Sequence, residues 1–500
     1  MKKRCVRSVL SFFLAVIMLV SVVGCGGNTP SDAETTPDTS TADPGSDTEE
    51  TTSSPVTDDV KGKVDNMTVA GNDIKEYKIV YYDSDYAAEC AKNIQTALTK
   101  VTGHIIPIRR HTGKETEYEI LVGKTGREES NAVRANYPRP NVYYDIKVSG
   151  KCLVVMGEGY TVLNEVTGKL VDYILNMSNS NSDLGGAAVS GNIIDKIDTL
   201  QRSMVNRADG TDLRVFHWNM AAPYLDPAVT APPVVYTSNK TRGEVMADII
   251  LQLMPDIITT NEFYASHNGN TVLYDAVMGE LGEYYVCLDS PYDKDKPAVG
   301  ADAINGKTIN SNIIYRKDIG LSVVTSSWRY STEKTTTSAN NPGGWVYYHG
   351  SHTAVFSYSG RKFIVSVAHY ANSGSENKWA KEHIAAINDA QKASGSTEVI
   401  PVILTGDLYT SAASSSANSG YKYIASQGYI DSQRNALVNA NNNISHGTFH
   451  KIGERQISRI SEDFIWHTDK LQALCFKVLT SSDIDDTSDH YPVMADIKFK

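Results

Sequence analysis

Across residues 211–500 short apolar runs alternate with stretches whose apolar residues recur every three to four positions. The runs include "LRVFHWNM", "PDIITTNEF", "NSNIIYRKD", "RKFIVSVAHY", "EVIPVILTGDLYT", "EDFIWHT" and "YPVMADIKFK"; the helical stretches include "GEVMADIILQLM" and "KEHIAAINDAQKA". Short runs of β-branched and aliphatic residues bounded by Gly or polar residues read as strands covered on both faces, and their alternation with helical periods predicts a layered α/β sandwich. Residues 66–200 carry a different rhythm. "IKEYKIVYY" alternates as a strand, "YAAECAKNIQTALTKVTG" has helical spacing with a stop at Gly103, and "IIPIRR", "YEILVGKT", "YYDIKVSG" and "KCLVVMGE" follow as strands before a helix at "TVLNEVTGKLVDYIL". That order predicts a small α+β domain, and no catalytic constellation stands out in it.

The amino terminus belongs to neither pattern. Lys2, Lys3 and Arg4 precede an apolar core from Val9 to Val23, the layout of a secretory signal. Its end, "VVGC", resembles the lipobox of bacterial lipoproteins, which implies cleavage and lipidation at Cys25. Residues 26–65 are rich in Thr, Ser, Asp, Pro and Glu and poor in large apolar residues, so they bury too little surface to offset their ordering entropy. The expected organisation is a signal peptide over 1–25, a disordered tether over 26–65 and two folded parts held outside the cytoplasm on a bacterial cell membrane.

A composition of 41% hydrophobic and 21% charged residues places the folded part among ordinary globular proteins. The 26–65 segment carries much of the net charge of −11, and the folded part, only mildly acidic, argues against a protein that coats nucleic acid through a broad basic surface. Once Cys5 and Cys25 are set aside, Cys90, Cys152, Cys287 and Cys475 remain, widely spaced and without a CxxC pair. Neither a zinc site nor a dense disulfide framework follows; one Cys90–Cys152 bridge and buried free thiols both stay open.

Candidate chemistry sits where the apolar runs end. "LRVFHWN" ends at Asn219, "FIVSVAH" at His369 and "VILTGD" at Asp407; Glu262 ends "PDIITTNE", Asp463 opens "DFIW", and Asp489 and His490 precede the last run. In α/β proteins ligands bind beyond the carboxyl ends of the strands, so polar groups there point to a site. Taken singly, each is also explained as a turn or capping residue.

In order and spacing these segments resemble the endonuclease/exonuclease/phosphatase superfamily over roughly the last 290 residues. "MPDIITTNEF" stands where that family has a PDI…QE segment, "VILTGDLY" where it has GDxN, and "SDHYPVMADI" where it has a terminal SDH. The resemblance implies a four-layer α/β sandwich, two packed mixed β-sheets flanked by helices. It further implies a metal-dependent phosphoesterase of phosphodiesterase or nuclease type, acting by in-line water attack. By the same resemblance Glu262, with Asp489, holds Mg²⁺ or Mn²⁺, and Asp407 orients or deprotonates the water. Asn219 positions the phosphate and Asp407, His490 paired with Asp463 acts as acid or base, and His369 serves the phosphate or leaving group. One departure stands out: Tyr409 occupies the place of the family's Asn. Either Tyr409 or a neighbouring group takes over that amide's part, or catalysis is impaired.

The 66–200 region looks like the small non-catalytic domain that precedes the barrel in some polysaccharide-degrading enzymes. Two functional expectations follow. One is an exported, lipid-anchored phosphoesterase whose substrate is a nucleic acid, a phospholipid head group or a sugar phosphate, with no obligatory protein partner. The other is a catalytically impaired surface lipoprotein that binds glycan or other envelope material.

Overall fold

The structure is a computed structural model. It describes residues 64–82, 84–137, 139–197, 204–221, 241–263, 272–288, 311–336, 346–370, 376–410, 419–439, 447–450, 461–480, 484 and 487–500. The proposed signal, Cys25 and residues 26–63 of the proposed tether lie outside the described residues, as do most of "APYLDPAVTAPPVVYTSNKTRG" and the first half of "NNPGGWVYYHGSH"; Val64, placed in the tether by the sequence, is instead buried in the apolar core of the small domain. Among the described residues no helix is long and apolar enough to cross a membrane.

Residues 78–192 form a six-stranded sheet in the order Ile108–Arg110, Lys78–Tyr81, Glu119–Val122, Cys152–Gly157, Tyr143–Ser149 and Val189–Asn192. The helices Asp85–Thr102 and Tyr160–Leu175 bury Ile94, Leu98, Val166 and Leu170 against it. Ser84 caps the first helix, and Gly103, in the left-handed region, ends it where the sequence predicts the stop. Cys90 and Cys152 are both buried free thiols in separate apolar clusters, so no bridge joins them. Burial pushes each thiol up to about 11, which keeps it neutral and unreactive.

Residues 213–499 build two further sheets. A seven-stranded one has the order Tyr285–Cys287, Ser311–Arg316, Ile257–Asn261, Leu213–Asn219, Val493–Phe499, Leu471–Val478 and Val438–Asn439. A six-stranded one has the order Ser322–Thr336, Val346–Tyr358, Arg361–His369, Val402–Asp407, Asp463–His467 and Ile430–Asp431. Both are mixed: Leu213–Asn219 runs parallel to Ile257–Asn261, and Arg361–His369 parallel to Val402–Asp407, while most other pairs are antiparallel. The sheets pack face to face, and Val215, Ile313, Phe356, Val365, Ile403, Ile465 and Ala495 share one apolar core between them. Helices Arg242–Leu253 and Val272–Leu281 cover the outside of the first sheet, and Glu376–Ala393 the outside of the second. This is the four-layer sandwich expected from the sequence.

The helix Arg242–Leu253 opens with a capping box between Thr241 and Glu244. The small sheet's layer meets the sandwich through polar contacts. Asn141 donates to Asp248 at 2.6 Å, Lys124 pairs with Glu280 at 2.8 Å, and Arg134 bridges Glu158 and Glu283.

Candidate active site

Strand register brings the polar strand ends to one level. In the first sheet Asn219 lies opposite Asn261, and Asn261 opposite Ser311. In the second, His369 lies opposite Asp407, and Asp407 opposite Asp463. Each strand spends its apolar residues on the core and reaches the same edge with a polar one, because the rise per residue is nearly equal in neighbouring strands.

Two hydrogen bonds then tie the sheets together at that edge. Asn219 donates through Nδ2 to Asp407 Oδ2 at 2.9 Å, and the Asp407 backbone N–H donates to Asn261 Oδ1 at 2.8 Å. Asn261 in turn donates to Ser311 Oγ at 2.7 Å, which fixes the amide that holds Asp407. Close approach of the Asp407 strand to its neighbour needs Gly406. Its φ is +149°, and a Cβ there would lie 2.0 Å from the Ala368 carbonyl oxygen.

Around Asp407 stand two imidazoles. His369 Nε2 lies 3.5 Å from Asp407 Oδ2 and 4.0 Å from Glu262 Oε1, and His490 Nε2 lies 3.8 Å from the same Asp407 oxygen. The other face of His490 is held: its Nδ1 is 2.8 Å from Asp463 Oδ2. His490 is placed by its backbone. Its N–H donates to Ser488 Oγ, that hydroxyl donates to the Asn219 carbonyl at 2.6 Å, and Trp218 Nε1 donates to the His490 carbonyl at 2.8 Å. The Asp463 N–H donates to Thr448 Oγ1 at 3.1 Å.

Asn219, Asp407, Asp463, His369 and His490 are buried, which makes their charges matter. Burial drives the Asp407 carboxyl well above the ordinary carboxylate range; the charges of Asp463 and Glu462 add to this, and His490 and Asn219 oppose it. Burial alone would also raise Asp463, but the His490 charge and the contacts from His217 and His490 outweigh it and hold Asp463 below the usual range. For His490 burial works against the cation, and Asp463 and Asp407 overcome it and lift the imidazole well above its usual value. The result is an Asp463–His490 ion pair beside a carboxyl that readily accepts a proton.

Glu262 follows its strand with φ 54° and is partly exposed at the rim. Tyr409, in the left-handed region at φ 42°, stacks its ring on His369 with centroids 5.7 Å apart. Burial raises the Tyr409 phenol, and the charges of Asp407, Glu262, Glu462 and Asp489 raise it further. Glu262 and Asp407 flank His369 Nε2 at 4.0 and 3.5 Å, and carboxylate oxygens of this kind suit a hard divalent cation. Asp407, Asp463 and His490 also offer atoms within 4.8 Å of one another. In that trio, however, Asp463 faces His490 and His217, and His490 Nδ1 is spent on Asp463, so its geometry is that of a proton-handling unit. The oxygen donors of the rim, Glu262 and Asp489, suit the cation better.

The site also contains groups that reading the sequence passes over. Glu462 adjoins Asp463, and Phe449 bridges backbone with His490 and sets its ring edge-on to that imidazole at 5.2 Å while remaining 44% exposed. His217 lies beneath Asp463. Period-two alternation from Asn219 puts His217 on the same inner face, the one signal that would have found it.

No family model and no curated protein matches this chain. Among solved structures the chain is similar to an endonuclease/exonuclease/phosphatase from Bacteroides vulgatus, at 19% identity over 58% of this chain and 100% of that one, with a TM-score of 0.40. It is similar to a mannosyl-6-phosphatase from Bacteroides thetaiotaomicron, at 20% identity over 58% of this chain and 100% of that one, with a TM-score of 0.40. It is also similar to the human Nocturnin catalytic domain, at 17% identity over 59% and 97%, with a TM-score of 0.38. Similarity at this level is no guide to chemistry, which rests on the residues themselves.

Proposed function

We propose that this chain is a divalent-cation-dependent phosphoesterase of the endonuclease/exonuclease/phosphatase type. The observation that carries the reading is the meeting of both sheets at Asp407, whose Oδ2 accepts from Asn219 and faces His369 and His490. Hydrolysis of a phosphoester needs an oriented water, relief of charge on the phosphoryl oxygens and help for the leaving oxygen. Glu262, with Asp489, would hold Mg²⁺ or Mn²⁺, which when bound offsets phosphoryl charge. Asp407, its carboxyl raised by burial, takes the proton of the attacking water, and Asn219 and Asn261 hold it in place. His490, kept cationic by Asp463, binds the phosphoryl oxygens through Nε2–H. His369 stands on the other side of Asp407, placed to donate to the phosphate or the leaving oxygen. Tyr409 takes no part as an amide substitute in this scheme; its ring orients His369 by stacking.

Export and lipidation at Cys25 complete the proposal and rest on the "VVGC" stretch. An extracytoplasmic enzyme meets nucleic acid, phospholipid head groups and sugar phosphates. A panel holding a dinucleotide, a glycerophosphodiester and a hexose phosphate, assayed with Mn²⁺, tests the activity. Turnover of any member that His490→Ala loses supports the reading. A folded chain that turns over none, yet is retained on envelope glycan, supports a binding lipoprotein instead. Incorporation of labelled palmitate, lost in Cys25→Ser, tests the anchor.

A further inference from the structure

The Leu213–Asn219 strand buries a second imidazole that no step above uses. His217 is fully buried, two residues before Asn219 and on the same face. Its Nε2 lies 3.2 Å from Asp463 Oδ1, a close contact off the line of an ideal hydrogen bond, and its Nδ1 lies 3.0 Å from Thr259 Oγ1. Thr259 Oγ1 is also 3.3 Å from the Phe216 carbonyl oxygen.

Proton counting fixes what faces Asp463. The Thr259 hydroxyl has one hydrogen. If that hydrogen goes to the Phe216 carbonyl, His217 Nδ1–H must donate to Thr259 Oγ1. A bare Nε2 would then turn its lone pair on a carboxylate oxygen, which is repulsive and disfavours that arrangement. If the hydroxyl donates to Nδ1 instead, the neutral ring carries its hydrogen on Nε2. The favoured arrangement leaves Nε2–H on the Asp463 side of the ring, 3.2 Å from Oδ1 and bent away from ideal alignment. The carboxylate therefore has an imidazole on each side, His490 hydrogen-bonded at Oδ2 and His217 in close contact at Oδ1.

We propose that His217 is a positioning residue for the reaction assigned above, holding Asp463 so that its second oxygen addresses His490 Nδ1 and making His490–Asp463–His217 one coupled unit. The inference rests on the phosphoesterase reading for its kinetic consequence, though not for its structural one. The structural arm follows the downfield Nδ1–H proton resonance of His490 in the metal-free full-length chain. In His217→Leu that resonance moves upfield or broadens, and in His217→Gln, whose amide still donates, it is largely retained.

The kinetic arm measures kcat and KM on a phosphodiester with Mn²⁺. Removing a group that orients a functional ligand typically costs about 10- to 100-fold. His217→Leu lowers kcat by about that factor with KM unchanged, His217→Gln recovers most of the loss, and His217→Leu combined with Asp463→Asn is no slower than Asp463→Asn alone. If the leucine variant fails to fold, His217→Asn, polar but too short to reach Asp463, replaces it and behaves as the leucine variant should.

An unchanged resonance in the variant lacking the donor overturns the proposal. So do losses in the double variant that multiply, or a glutamine variant as slow as the leucine one. If the protein hydrolyses no phosphoester while the resonance still responds, the phosphoesterase reading fails and the array stands.

Discussion

Replacing Asp407 by Asn should make the protein inactive and more stable at once. Asp407 is fully buried, so its ionised form carries a desolvation cost of several kcal/mol. Its Coulomb terms nearly cancel. With site atoms no more than 4.8 Å apart, Asp463 repels the charge by at least about 3.5 kcal/mol at an effective dielectric of 20, and His490 at 3.8 Å attracts it by about 4.4 kcal/mol. The Asn219 hydrogen bond, worth about 1.5–3 kcal/mol to a charged acceptor, offsets part of the desolvation, and an asparagine keeps an oxygen for it. The balance is a gain of about 1–3 kcal/mol in Asp407→Asn at neutral pH, or about 2–4 °C of Tm for each kcal/mol.

The sign with pH follows from the raised carboxyl. Below the ordinary value of 3.8 the group is protonated in both the folded and the unfolded chain and costs nothing. As pH climbs from there to the raised folded value, the unfolded chain ionises more readily and the wild type loses stability that the variant keeps. Urea unfolding in EDTA at a series of pH values measures the difference directly, and hydrolysis of bis-(p-nitrophenyl) phosphate measures the accompanying loss of about 10²- to 10⁴-fold. A variant less stable than wild type at neutral pH, or a gain that persists unchanged below pH 4, refutes the reasoning.

Other consequences are simpler. Gly406→Ala, with its Cβ driven to 2.0 Å from the Ala368 carbonyl, should cost about 3 kcal/mol or more, read as a lowered urea midpoint. Asn261→Ala removes the acceptor of the buried Asp407 N–H and should cost about 1–3 kcal/mol while slowing turnover. The acid limb of kcat/KM should lie well above the ordinary carboxylate range, because Asp407 must lose its proton to serve as base; Glu262→Gln should keep that limb but raise the Mn²⁺ concentration needed for half-activity at least about tenfold.

Much of the sandwich was legible because its strands are short apolar runs with abrupt polar ends. "VILTGD" gives both the buried strand and the carboxylate it delivers. What could not be read is how ends from two sheets meet. The hydrogen bond from the Asp407 backbone to Asn261 joins positions far apart in sequence, and only the stacking of the sheets decides that they touch. His217 was hidden for a related reason: inside an apolar strand a histidine reads as a core residue until Asp463 is seen above it. Tyr409 was visible as a departure from the family pattern, yet its stacking on His369 depends on a left-handed turn that no propensity predicts for tyrosine.

The central claim is that the group meeting at Asp407 performs cation-dependent phosphoester hydrolysis. Its most direct test is release of nitrophenol from bis-(p-nitrophenyl) phosphate by the purified, folded chain before EDTA, after EDTA and after Mn²⁺ is restored. Activity that disappears with chelation, returns with the ion, and is nearly absent in His490→Ala throughout is the predicted result. Turnover indifferent to EDTA, or equal in wild type and His490→Ala, contradicts it.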